Sequence, residues 1–179
     1  PVDYDFGILL SDTIDMIRSR AEEKKLQLEL NIEPDTPVHL HGDEVRLRQI
    51  LTNILTNAVK YTSEGKVILT VSGKKVSAGV VQLYVSVKDT GIGIKEEDIG
   101  RLFDSFQRVD ESRNRNIEGT GLGLSITMRL LNLMGSRLEV ESTYGEGSDF
   151  YFYLEQKQLD DKVIGEDIQK YFENEKGKL

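Results

Sequence analysis

Two strand-like runs, Val67–Val71 and Val80–Asp89, follow each other with only a glycine-bearing turn around Gly73–Gly79 between them. A parallel crossover needs about a dozen or more connecting residues, usually a helix, so this pair must be antiparallel. Arg137–Ser142 and Ser148–Glu155 repeat the constraint, joined through Tyr144-Gly145-Glu146-Gly147. A fifth run, Leu26, Leu28, Leu30 and Ile32, alternates strictly with polar residues, and Pro34 and Pro37 then break the pattern. Between these strands lie helical periodicities. Residues 4–23 carry Phe6, Leu10, Ile14, Ile17 and Ala21 on one stripe, a long helix is expected from Asp43 to Thr62, and Leu122–Met134 stops at Gly135. Helices interleaved with tightly joined strands predict an α+β domain: a two-layer α/β sandwich, with a mixed sheet of about five strands and helices packed on one face.

Composition narrows the function. With 179 residues and 38% apolar content the chain suits one domain with a sizeable core. A net charge of −8 argues against nucleic acid as the main partner, because phosphate backbones call for a basic face. The absence of cysteine removes disulfides, thiolate metal sites and a Cys nucleophile, and is compatible with a cytoplasmic location. No apolar run approaches the roughly 20 residues that span a bilayer. The start at Pro1, with no signal-like segment, predicts a piece of a longer chain.

The Asp43–Thr62 helix has two distinct faces. Leu47, Leu51, Ile54, Leu55 and Ala58 share the core stripe, while Arg46, Gln49, Asn53, Asn57 and Lys60 share another arc, with Tyr61 at its edge. A solvated face is the plain reading. Asparagine is a mediocre helix former, however, and two of them four apart in mid-helix point to use. An amide oxygen is a neutral ligand for a hard cation, and a lysine one turn on can meet phosphate oxygens.

Strand alternation places Val81, Leu83, Val85 and Val87 on one face, and Asp89 continues that face inward. A carboxylate heading into the core is costly unless it finds donors. As a turn-former Asp89 would simply precede Gly91; as a ligand it would accept a hydrogen bond from the exocyclic amine of a base, with Gly91 and Gly93 keeping side chains clear of the ring. A second glycine motif, Gly119-Thr120-Gly121-Leu122-Gly123-Leu124, opens the last long helix, where backbone N–H groups and the helix dipole suit an anion. Alone it is a weak signal, because it lacks dinucleotide spacing; a P-loop is absent altogether.

Taken together, Asn53-x-x-x-Asn57-Ala58-x-Lys60-Tyr61, the Asp89 motif, the phenylalanines Phe103 and Phe106, and the Gly119 motif occur in the order seen in sensor histidine kinases. From about residue 4 to 155 the chain resembles their catalytic ATP-binding domain, of the Bergerat type shared with gyrase and the heat-shock chaperone ATPases. The resemblance implies that Asn57 coordinates Mg2+ bridging the phosphates of ATP, with Asn53 beside it. Lys60 touches phosphate, Tyr61 lies near adenine or ribose, and Asp89 bonds the adenine amine. Gly119, Thr120, Gly121, Leu122, Gly123 and Leu124 line the triphosphate. Arg108 matches a position that reaches the γ-phosphate in some members, with Arg113 and Arg115 as alternatives. Residues 94–118 would form a lid over ATP, with Phe103 and Phe106 either packing it onto the body or serving as core.

The same resemblance says what is lacking. His39 and His41 are the only histidines and lack the Asp or Glu that follows a phosphoacceptor, so the accepting histidine is expected on dimerisation helices elsewhere in a parent kinase. The isolated domain is then expected to be a monomer, and the parent to be membrane-anchored or not. Where gyrase- and chaperone-type enzymes hold a general-base Glu, this chain has Asn53, which cannot take a proton. That disfavours an ATPase gate and suits transfer to an already nucleophilic imidazole. A degenerate module that binds nucleotide without transfer is the other alternative. The expected division is a catalytic domain over 1–155 and a linker or tail over 156–179, leading to a receiver domain or forming an extension with one helix at Gly165–Glu175.

Overall fold

The computed structural model describes residues 1–107 and 122–176. In chain order the elements are β1 (Val2–Asp5), α1 (Phe6–Glu23), β2 (Gln27–Ile32), β3 (His39–Gly42), α2 (Glu44–Lys60), β4 (Lys66–Ser77), β5 (Val80–Asp89), α3 (Glu96–Gln107), α4 (Leu122–Leu133), β6 (Glu139–Thr143), β7 (Gly147–Gln158) and α5 (Ile168–Lys176). The strands form one sheet in the order β1-β3-β7-β5-β4-β2, with β6 also paired to β7. Only β2 and β4 run parallel, so the sheet is mixed, as expected.

The sheet has seven strands rather than about five. The two additions, β1 and β3, are four residues each and pair with each other, with β3 extending onto the end of β7. Runs that short carry too few alternations to register as period-two patterns. β4 likewise continues past Val71 to Ser77, held by β5 across the hairpin although Lys74–Ser77 are exposed. The hairpin closes at Ala78-Gly79, where Gly79 takes φ +73°. Within residues 94–118, the expected lid, Glu96–Gln107 is helical; Glu96, Glu97 and Asp98 in its first turn sit where the helix dipole favours negative charge.

The core lies between the helices and one face of the sheet. Val81, Leu83, Val85 and Val87 of β5 and Phe152 and Leu154 of β7 are buried with Phe6, Leu10, Ile14 and Ile17 of α1 and Leu47, Leu51, Ile54 and Leu55 of α2. Burying each such side chain contributes about 1.5–3 kcal/mol, before chain entropy is set against it. The opposite sheet face carries Tyr84, Tyr151 and Tyr153, with Tyr84 and Tyr153 rings 5.1 Å apart. Two caps fix the helices that matter for the site. Asp5 caps α1 by accepting from Ile8 N, and Asp43 caps α2 by accepting from Arg46 N. At the far end of α2, Lys24 Nζ donates to the carbonyls of Val59 (2.6 Å) and Lys60 (3.1 Å). A cation thus satisfies carbonyls that the last turn leaves open.

After β7 the chain doubles back. Leu159 N donates to His39 O, Val38 N to Lys162 O, and Ile164 N to Thr36 O. α5 then packs on α1, with Tyr171 Oη donating to Asp5 Oδ2 at 2.6 Å.

Candidate functional site

The site is organised around the end of β5. Asp89 points inward as its alternation requires and is 6% exposed. Its Oδ1 accepts from Gly91 N at 2.9 Å, and the backbone N–H of Ser148 also donates to the carboxylate. Burial raises its pKa above the ordinary value despite those two donors, which act to lower it. Three glycines allow chains to close around this carboxylate. A Cβ on Gly91 would collide with Tyr61 O, one on Gly93 (φ +70°) with Thr143 O, and one on Gly147 (φ +129°) with Asp89 O. The turn after Asp89 is therefore packed between the end of α2 and the β6–β7 turn.

α2 forms the facing wall. Asn53 and Asn57 are half-buried one turn apart, Lys60 is exposed, and Tyr61 closes the helix with its N–H on Asn57 O. Lys60 Nζ stands 5.5 Å from the Tyr61 ring centroid. Among the described residues, Asn57 Nδ2 is the buried side-chain polar atom without a hydrogen-bond partner. It faces the start of α4, 3.5 Å from where a Gly123 Cβ would stand. Amide oxygen and nitrogen occupy equivalent positions here, so the group can present either a donor or a metal-binding oxygen toward α4.

The structure thus brings Asn57, Tyr61, Asp89, Gly91, Gly93 and Gly123 into one neighbourhood, with Asn53 and Lys60 on the same face of α2. Leu124 is 4% exposed, its side chain belonging to the core, so only its backbone can meet a ligand. Leu122 supplies the first backbone unit of α4. Arg108, Arg113, Arg115, Gly119, Thr120 and Gly121, with the side chains of Phe103 and Phe106, lie outside the described residues.

The sequence reading missed four contributors. Thr62 is fully buried and donates to Ala58 O at 2.7 Å, with its oxygen 3.0 Å from the Gly91 Cβ position. Gly147 was read only as part of a turn. Ser142 and Ser148 continue the inward faces of Val140 and Phe150, so the parity argument used for Asp89 applies to them equally. A cavity of about 760 Å³ between the end of α4 and β7, lined among others by Arg137, Glu139, Tyr153 and Glu155, shares no residue with this neighbourhood.

Residues 42–158 match the family described as histidine kinase-, DNA gyrase B-, and HSP90-like ATPase. The sensor histidine kinase GacS of Pseudomonas protegens is 41% identical over 153 residues, covering 86% of this chain and 17% of that protein. The signal transduction histidine-protein kinase BarA of Escherichia coli is 41% identical over 145 residues, covering 81% and 16%. The peroxide stress-activated histidine kinase mak2 of Schizosaccharomyces pombe is 38% identical over 174 residues, covering 95% and 7%. The chain therefore spans 17% or less of the length of these relatives. Among solved structures, full-length ShkA in complex with AMPPNP superposes with a TM-score of 0.70 at 33% identity, over 90% of this chain and 32% of that one. The histidine kinase AdeS of Acinetobacter baumannii, at 20% identity and a TM-score of 0.60 over 88% of this chain and 67% of that one, shares the fold. Among the described residues no helix is long and apolar enough to cross a membrane.

Proposed function

The chain belongs to the family of histidine kinase-, DNA gyrase B- and HSP90-like ATPases and is homologous to sensor histidine kinases; from that membership we propose that it binds Mg-ATP and passes the γ-phosphate to a histidine on separate helices of a parent kinase. The observation that carries this reading is the Asp89 carboxylate, buried at the closed end of the site with Oδ1 already engaged by Gly91 N. Its second oxygen is the acceptor for the adenine amine. Gly91 and Gly93, whose Cβ positions are taken by the Tyr61 and Thr143 carbonyls, let the turn after Asp89 close beside the base rather than clearing space for its ring, and Tyr61 flanks it.

At the other end, the start of α4 at Leu122, Gly123 and Leu124 offers backbone N–H groups to the triphosphate, and Gly119, Thr120 and Gly121 are assigned to the same group by the family resemblance. Lys60 adds a cation, and Arg108 is assigned to the γ-phosphate. The donor set fits magnesium: the unpartnered Asn57 amide, turned so that its oxygen faces α4, supplies a neutral hard ligand, with Asn53 one turn away. Bound there, magnesium would neutralise charge between the phosphates. Asn53 has no basicity, so the site takes no proton from the acceptor. A neutral imidazole nitrogen attacks the γ-phosphorus in line, the N–P bond forms as the bond to the β-γ bridging oxygen breaks, and ADP departs.

His39 and His41 are not the acceptors in this reading. His39 Nδ1 lies 2.6 Å from Asp160 Oδ2, and His41 Nδ1 lies 2.7 Å from Asp3 Oδ1, both at the β1–β3 edge. The accepting helices belong to another part of the parent, a response-regulator receiver domain, in the parent or separate from it, takes the phosphate onward, and the isolated domain is a cytoplasmic monomer.

Calorimetric titration with a non-hydrolysable ATP analogue, with and without magnesium, tests the proposal. Wild type is expected to bind in a magnesium-dependent way. Asp89→Asn should weaken binding about tenfold or more, the worth of a hydrogen bond to a charged group, and Asn57→Ala should remove the magnesium dependence. A folded wild type that binds no nucleotide would sink the reading.

A further inference from the structure

On the inner sheet face Asp89, Ser148 and Ser142 stand side by side in register across β5, β7 and β6. Ser142 Oγ accepts from the backbone N–H of Ile94 at 2.7 Å. The same oxygen lies 2.9 Å from Gly147 O and 2.9 Å from Ser148 Oγ. A hydroxyl has one proton and two lone pairs. The Gly147 carbonyl can only accept, so it takes the Ser142 proton. The Ile94 N–H fills one lone pair of Ser142. The other is left for the proton of Ser148. Every hydrogen-bonding position of Ser142 is then used, and the Ser148 hydroxyl points its proton toward β6.

That direction matters because Ser148 is also the cross-strand neighbour of Asp89. Directly opposed residues hold their Cβ atoms about 4.5–5.5 Å apart, within reach of a serine hydroxyl. With its proton free, Ser148 would donate to the carboxylate, the strongest acceptor available to it. We propose that Ser142 is a positioning residue for purine recognition: by holding the Ser148 proton on β6, it leaves the second oxygen of Asp89 open for the amino group of the base. This deepens the adenine reading of Asp89 and rests on it.

The test compares ATP with the 5′-triphosphate of purine riboside, which lacks the 6-amino group, by calorimetric titration of the whole chain. Wild type is expected to prefer ATP about tenfold or more. Ser142→Ala should cut that preference to about threefold or less, chiefly by weakening ATP, while binding of the desamino compound stays near the wild-type value. Ser142→Thr keeps the hydroxyl and should retain the preference. The double variant Ser142→Ala/Ser148→Ala removes the competing hydroxyl and should recover it, an outcome that simple loosening of the loop would not give. A preference unchanged in Ser142→Ala, or lost there and not recovered in the double variant, overturns the role of Ser142 alone. A wild type that binds both compounds equally, or neither, overturns the adenine reading itself and the inference with it.

Discussion

Asp89 sits where binding and stability pull in opposite directions. Burial disfavours its ionised form, so the folded chain holds the proton more tightly than the unfolded chain does. As pH rises from the ordinary value of 3.8 through the raised one, the unfolded state releases its proton first, and stability falls across that window. Above it the loss is constant. Asp89→Asn never carries the charge, so without nucleotide it is expected to unfold at a higher temperature than wild type at neutral pH, with the gap shrinking toward pH 4. The same change replaces an acceptor by an amide whose NH2 opposes the base amine, so a given concentration of ATP stabilises it less than wild type. Thermal unfolding at both pH values, with and without ATP, checks the pair; a variant less stable than wild type at neutral pH would refute the first half. Gly147 poses a purely steric problem nearby. It combines φ +129° with a Cβ position that runs into Asp89 O, so Gly147→Ala must displace either the β6–β7 turn or the end of β5. It is expected to cost about 1–3 kcal/mol in urea unfolding and to weaken ATP binding as well.

At the scale of elements, α2 decides what the site can do chemically, since it brings Asn53, Asn57, Lys60 and Tyr61 to one wall. Asn53 offers no base to activate water, so slow hydrolysis is expected, and Asn53→Glu, one turn before Asn57, should raise phosphate release from ATP about tenfold or more, read in a steady-state assay. No increase in a variant that still binds ATP would show that the attacking water, not the base, is missing. This wall was legible in the sequence because α2 is long enough to display two faces, and Asp89 was legible because β5 alternates over ten residues. Legibility failed where local pattern is short or uninformative. β1 and β3 form only because β7 and each other are there to pair with. α3 begins with three acidic residues whose contribution is electrostatic rather than periodic. Ser142 and Ser148 obey the same parity as Asp89, but a small hydroxyl in a strand is ordinary until register shows it beside a buried carboxylate.

Across the whole molecule, the segment after β7 decides where the folding unit ends. A passive linker would leave the surface without buried side chains, whereas Ile164 is 4% and Tyr171 6% exposed here. Backbone bonds from Leu159, Val38, Ile164 and Gly165 lay this stretch along residues 34–39, and Val163 bridges Pro37. α5 then reaches the beginning of α1. Asp5, the cap of that helix, accepts from Ile8 N through Oδ1 and from Tyr171 Oη through Oδ2. The Tyr171 ring covers Gly7 so closely that a Cβ there would meet Cε1 at 2.5 Å. α5 is thus packed against the junction of β1 and α1. Residues 159–176 should therefore contribute to cooperative stability. Ile164→Ala is expected to cost about 2–4 kcal/mol, as for other buried Ile truncations, without affecting nucleotide affinity, because its stretch pairs with residues 34–39, which supply none of the site residues. Ending the chain after Gln158 should cost more, since it also removes the Tyr171 bond to Asp5 and exposes the Gly7 surface of α1. Urea unfolding of the three proteins settles the matter: equal midpoints would mark the segment as a passenger, while a graded loss places the end of the domain beyond residue 171.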